Sequence, residues 1–267
     1  MDQRQRRQYL IRSLLAERPE YREWGVPQGE EDQKRLLRGL LNVRPAQACD
    51  EEFLKIQDAY LRQAIAEKGI TDLRELTPMQ PGMYLWQGDI TTLRCDAIVN
   101  AANSGMTGCY VPNHRCIDNA IHTFAGVELR RECARIMDRQ GAPEPTGRAQ
   151  ITPAFNLPCK YVLHTVGPII YGEPTRADCE MLRSCYRACL ELAEAHGLES
   201  VAFCCISTGE FHFPGELAAE IAVKTVSEFL KQSTRSVKKV IFNVFKEQDR
   251  KIYERLLQAD FSTAPGA

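Results

Sequence analysis

The feature that most limits the fold is an alternation that begins near residue 76. Short apolar runs, each about the length of a strand, are separated by helical patterns, most of them longer than ten residues. Residues 83–86 (MYLW) and 97–100 (AIVN) read as strands, with helical patterns at 116–124 and 128–139. Residues 147–151 read as a short extended piece and 161–166 (YVLHTV) as a clear strand. A long helix at 176–196 is stopped by Gly197. A strand at 201–206, a helix at 214–230, a strand at 240–245 and a helix at 248–258 complete the series. This alternation predicts an α/β sandwich around a mixed, mostly parallel sheet. The tail from Ser262 reads as frayed.

Residues 1–75 have a different character, helical and charged. Leu36, Leu37, Leu40 and Leu41 fall at helical spacing, and Asp50-Glu51-Glu52 suits a helix N-terminus, where acids meet the positive end of the dipole. The expected organisation is a helical extension over 1–75 and a second unit over 76–262. The extension carries no recognisable chemistry. It is expected to cover one side of the following domain, with partner binding or substrate shaping as the other reading.

The 267 residues are enough to bury a full core. With 34 basic and 35 acidic residues the net charge is -1, which leaves no electrostatic footprint for nucleic acid or membrane surfaces. The 11 cysteines are scattered and odd in number, a pattern expected of reduced thiols rather than a disulfide framework. No apolar run approaches the roughly 18 residues of a membrane span. The start, MDQRQRRQYLIRSLL, lacks the long apolar stretch and cleavage site of a signal peptide. A soluble, cytoplasmic monomer is the expectation.

The chemistry concentrates in residues 88–126, an acidic turn, a buried strand and then a loop dense in Asn, Gly, Cys and His. Loops beyond the carboxyl ends of strands are where α/β proteins collect ligands. Cys109, His114 and Cys116 set two thiols and an imidazole within eight residues, donors that zinc favours. Three protein ligands with an open fourth position is the catalytic arrangement; three incidental residues in a cysteine-rich chain is the alternative. Asn100 and Asn103 follow the strand as ligands for hydroxyls or as turn residues. Asp118 would orient a water or a ribose hydroxyl, or serve only as a helix-terminus acid. Residues 207–211 (STGEF) join a strand to a helix opening on Pro214, so free backbone N–H groups there could cradle a diphosphate; an ordinary connection is the other reading. Phe245 is expected either in the core or stacked on a purine.

Four blocks in order, GDIT at 88–91, AIVNAANS at 97–104, IHTFAG at 121–126 and STGEF at 207–211, resemble the macrodomain family over residues 81–258. The resemblance implies a three-layer α/β/α fold that binds ADP-ribose. The insertion at 108–116 and the helical extension look like the zinc-dependent bacterial and fungal branch, which removes mono-ADP-ribose from proteins. Carried over, Asp89 would take the adenine amino group, with Ile90 making the neighbouring backbone contact. Ser207, Thr208, Gly209, Glu210 and Phe211 would wrap the diphosphate, with Phe211 against the distal ribose. Asn103 would bind that ribose, Asp118 would position water or ribose, and Cys109, His114 and Cys116 would hold Zn2+. The expected substrate is an Asp/Glu-linked mono-ADP-ribosylated protein. The family also contains non-catalytic ADP-ribose readers and O-acetyl-ADP-ribose deacetylases.

Overall fold

Three helices open the chain in the computed structural model, which describes residues 1–21, 23–232 and 236–258. The frayed tail expected from Ser262 lies outside these residues. α1 (Gln3–Ala16) starts at a capping box, in which Asp2 accepts the Gln5 N–H and the Gln5 side chain accepts the Asp2 N–H. α2 (Glu30–Val43) begins with Glu30, Glu31 and Asp32, complementing its dipole, and buries Leu37, Leu40 and Leu41. α3 (Glu51–Lys68) is capped by Asp50, whose carboxylate accepts the Phe53 N–H at 2.7 Å. Together they close an apolar core of their own around Leu10, Leu14, Leu37, Phe53 and Leu61.

A short strand β1 (Thr71–Asp72) then pairs with β4 (Leu93–Arg94), apart from the main sheet. The main sheet comprises β2 (Pro78–Gln80), β3 (Met83–Gln87), β5 (Ala97–Ala101), β6 (Ala149–Pro153), β7 (Tyr161–Thr165), β8 (Ser200–Phe203) and β9 (Lys239–Val244). Their order is β2-β3-β9-β8-β5-β7-β6. The five inner strands run parallel and the two edges antiparallel, so the sheet is mixed and mostly parallel as expected. Central strands such as β5 and β8 are covered on both faces, which is why they read as unbroken apolar runs. The connecting helices are α4 (Ile117–Ala125), α5 (Val127–Gln140), α6 (Arg176–Ala195), α7 (Gly215–Gln232) and α8 (Glu247–Gln258).

Connectivity fixes where a ligand can sit. From β5 the chain passes through α4, α5 and β6 to β7 on one side; from β8 it passes through α7 to β9 on the other. The crevice at the carboxyl ends of the neighbours β5 and β8 is therefore a topological switch point. The loops after β5 and β8 carry the residues singled out above.

Most element ends shift by one or two residues from expectation, and two differences are larger. β8 ends at Phe203, because residues 204–206 leave the ladder to enter a turn in which Ser207 takes a left-handed φ of 64°. The edge strand β2 carried no apolar run, since its residues are largely exposed.

Candidate active site

The loop after β5 builds the centre of the site. Asn103 is held at both ends of its amide: Oδ1 accepts the Gly105 N–H at 2.9 Å, while Nδ2 donates to the Gly108 carbonyl at 3.2 Å and to Asp118 Oδ2 at 3.3 Å. The other Asp118 oxygen accepts from Asn100 Nδ2 at 2.8 Å. Asp118 occupies the first turn of α4, is only 5% exposed, and is pushed up to about 6 by burial against the opposing pull of Asn100, Arg130 and Asn103. One turn along, His122 brings Nε2 to 3.5 Å from Asp118 Oδ1 without a hydrogen bond. Burial, with the Arg130 charge nearby, holds it well below the usual imidazole range and so neutral. The loop can pass over this ring only at a glycine: Gly108 has φ of 87°, and a Cβ there would lie 2.8 Å from the His122 ring.

Cys109, His114 and Cys116 converge with their ligand atoms all within 4.8 Å, and Cys109 Sγ lies 3.6 Å from His114 Nδ1. Cys116 is also the N-cap of α4, its sulfur accepting the Asn119 N–H at 3.4 Å. Burial nevertheless pushes its thiol up to about 12, so a thiolate here calls for a cation beside it. Two sulfurs and an imidazole at half-buried positions fit zinc's preferences.

The loop after β8 is open where a ligand would lie. The backbone N–H groups of Gly209, Glu210 and Phe211 make no hydrogen bond among the described residues, and no atom comes within 4 Å of a Cβ built at Gly209. Thr208 is tied back by its hydroxyl to the Cys205 carbonyl, and the Phe211 carbonyl accepts the Ile170 N–H. Ser207 is buried with its hydroxyl unpartnered, and any Cβ on Gly167 would meet that oxygen at 2.0 Å. Glu210 links the two loops, its Oε1 lying 3.6 Å from His114 Nε2.

Asp89 and Ile90 follow β3 and make none of these contacts. Asp89 caps a 3-10 turn over Ile90–Thr92 by accepting from the Thr91 N–H and hydroxyl, and its second oxygen pairs with Lys68 of α3 at 2.8 Å. The Ile90 side chain is buried. Phe245 is 78% exposed, which removes the core alternative for it.

Several partners of the site come from segments without a local signature. Arg38 of α2 donates to the His114 carbonyl at 2.9 Å and to Asn119 Oδ1 at 3.0 Å. Asn42 accepts the Asn113 N–H and donates to Thr123. The helical extension thus grips the cysteine–histidine loop directly. Asn100 stood out in the sequence as a hydroxyl ligand or turn residue, whereas His122 and His164 were visible only as helix and strand residues. His122, Cys133 and His164 also bring their donor atoms within 4.8 Å of one another, fully buried. Both His164 nitrogens there face hydrogen-bond partners, Asn100 and Thr152, and burial pushes the Cys133 thiol up to about 12.

The family model "Macro domain" matches residues 99–222, the span from β5 to α7. The chain is 58% identical to a Treponema medium protein named protein-ADP-ribose hydrolase, over 96% of this chain and 100% of that one. It is 49% identical to a Staphylococcus aureus (strain MSSA476) protein of the same name, over 96% of each. Among solved structures, a Trypanosoma brucei macrodomain in complex with ADP-ribose aligns with a TM-score of 0.65 and 32% identity, covering 82% of this chain and 94% of that one. Sheet order, switch-point crevice and these matches agree: the chain belongs to the macrodomain family. Its similarity to the two hydrolases extends through the helical extension as well as the α/β/α sandwich.

Proposed function

We propose that this chain is a protein-ADP-ribose hydrolase that removes mono-ADP-ribose from Asp/Glu-linked protein side chains. The observation that carries the reading is the Asn100–Asp118–Asn103 constellation at the switch point, beside the Cys109–His114–Cys116 trio. Near full-length identity of 58% to a protein named for this activity supports it. Water attacks either the distal ribose C1'', breaking its bond to the ester oxygen, or the ester carbonyl, breaking the acyl C–O bond; either way the products are free ADP-ribose and the protein's Asp/Glu carboxylate, with the proton released from water. Asn103 binds the ribose, and Asp118, aimed by two amides, accepts a hydrogen bond from the water or a ribose hydroxyl. Residues 207–211 bind the diphosphate through their free N–H groups, supplying affinity remote from the cleaved bond. Asp89 and Ile90 receive the adenine, with Lys68 as a competing partner of Asp89. Cys109, His114 and Cys116 would hold a zinc ion, which when bound supplies Lewis-acid stabilisation of negative charge developing on oxygen. The working unit is a monomer in the cytoplasm without a nucleic-acid partner; eleven unpaired cysteines suit a reducing compartment.

The test is release of ADP-ribose from an Asp/Glu-modified protein by native, chelated and zinc-restored enzyme. Release that stops on chelation and returns with zinc is the expected result. Undiminished turnover by metal-free protein would overturn the zinc assignment. Binding of ADP-ribose with no release would make the chain a reader, and activity confined to O-acetyl-ADP-ribose would make it a deacetylase.

A further inference from the structure

The two amides that hold Asp118 are not secured in the same way. Asn103 has its orientation set by the backbone, because its Oδ1 accepts the Gly105 N–H. Asn100 has no such anchor: its Oδ1 is buried and unpartnered. What sets its orientation are Asp118 and His164, both of which face its Nδ2.

His164 lies directly across from Asn100 in the parallel ladder between β5 and β7, and both residues are fully buried. Asn100 Nδ2 is 2.8 Å from Asp118 Oδ1 and 3.2 Å from His164 Nδ1. An –NH2 group has two hydrogens, one for each of these acceptors, provided Nδ1 presents a lone pair. The ring proton must then sit on Nε2. There it finds Thr152 Oγ1 at 3.0 Å on the edge strand β6, with Cys133 Sγ further off at 3.9 Å. Each member of the chain Thr152–His164–Asn100–Asp118 is thereby assigned one role. Turned over, Asn100 would set its carbonyl oxygen against the Asp118 carboxylate.

We infer that His164 is a positioning residue: as the Nε2–H tautomer it locks the Asn100 amide, and through it the Asp118 carboxylate, in the reactive orientation. The inference rests on the hydrolase reading for its catalytic consequence, but its structural half stands apart from it. Burial, which holds the His164 imidazole down at about 3, keeps the ring neutral so that Nδ1 remains an acceptor.

Two arms test it on the full chain. Long-range proton–nitrogen NMR of nitrogen-15 histidine, assigned with His164→Asn, should show His164 protonated on Nε2 and bare on Nδ1 at neutral pH. A proton on Nδ1 overturns the lock. In the second arm His164→Asn keeps an oxygen acceptor close to the Nδ1 position, whereas His164→Gln sets its amide near Nε2 and leaves Asn100 nothing to donate to. His164→Asn should keep kcat within about threefold of wild type. His164→Gln should lose about 10- to 100-fold in kcat with ADP-ribose affinity unchanged. Equal losses in the two variants that track equal losses in Tm would reduce His164 to core packing and overturn the proposal, as would full kcat in both. If the wild-type protein releases no ADP-ribose, the hydrolase reading fails separately and the tautomer alone decides the lock.

Discussion

A histidine buried neutral at the centre of a sheet leaves a mark on stability in acid. His164 titrates at about 3 in the folded protein against an ordinary value of 6.5. Between those values the unfolded chain binds a proton that the native state refuses, so the His164 contribution, fully present above 6.5, is lost as pH falls. The slope is about 1.4 kcal/mol per pH unit. Asp118 works the other way: raised to about 6 from 3.8, it is protonated in the native state first and adds stability as pH drops through that window. The wild-type profile therefore mixes opposed terms, with the buried neutral His122 acting in the same direction as His164, and a difference isolates the His164 part. Urea unfolding of wild type and His164→Asn, compared between pH 6 and 4.5, should show the variant gaining relative to wild type by about 1.4 kcal/mol per unit of acidification. Parallel profiles would mean that His164 is not held neutral.

Among the elements, α2 has the clearest duty outside its own core. Its Arg38 lies beyond the macrodomain sheet in sequence, yet it hydrogen-bonds the carbonyl of His114 and the Asn119 side chain, and so braces the loop that carries the cysteine–histidine trio. Groups that orient ligands typically contribute 10- to 100-fold in metal affinity. Arg38→Ala should therefore weaken zinc binding by about 10-fold or more, read by competition with a chromophoric chelator; unchanged affinity would show that the loop holds its shape unaided. This contact also marks the limit of what was legible beforehand. The six larger strands of the main sheet and all five helices after it begins could be read from periodicity, because burial on one or both faces leaves a repeating pattern. The end of β8 could not, since Cys204 and Ile206 are as buried as strand residues although the backbone there already turns into the site loop. At the site, contiguous blocks such as 109–116 and 207–211 announced themselves. Asn100, His164, Arg38 and Lys68 act only through partners 12 to 81 residues away, and nothing local encodes such pairings.

At the scale of the whole molecule the helical extension and the sandwich are tied by buried polar contacts as well as by apolar packing. Arg130 of α5, almost fully buried, donates to the carbonyls of Leu41, Asn42 and Arg44 at the end of α2 and to that of Thr107 in the site loop. Gln57 of α3 joins Glu128 and the Val127 N–H, and Asn156 reaches Asp58. Ile65 of α3 belongs to the core under the sheet. Removing the extension would strip from Arg130 Nη1 the three carbonyls that share its two N–H groups, and a hydrogen bond to a charged group contributes about 1.5–3 kcal/mol. It would also uncover the apolar surface around Ile65 and Phe124. The full chain should therefore unfold in one cooperative transition, with near-UV and far-UV signals coincident in urea. A chain beginning at residue 76 should melt well below it and bind zinc poorly, because Arg38 and Asn42 leave with the deleted helices. Two separated transitions, the later one matching the truncated chain, would mean that the extension is an independent cap and that the polar contacts across the boundary contribute little.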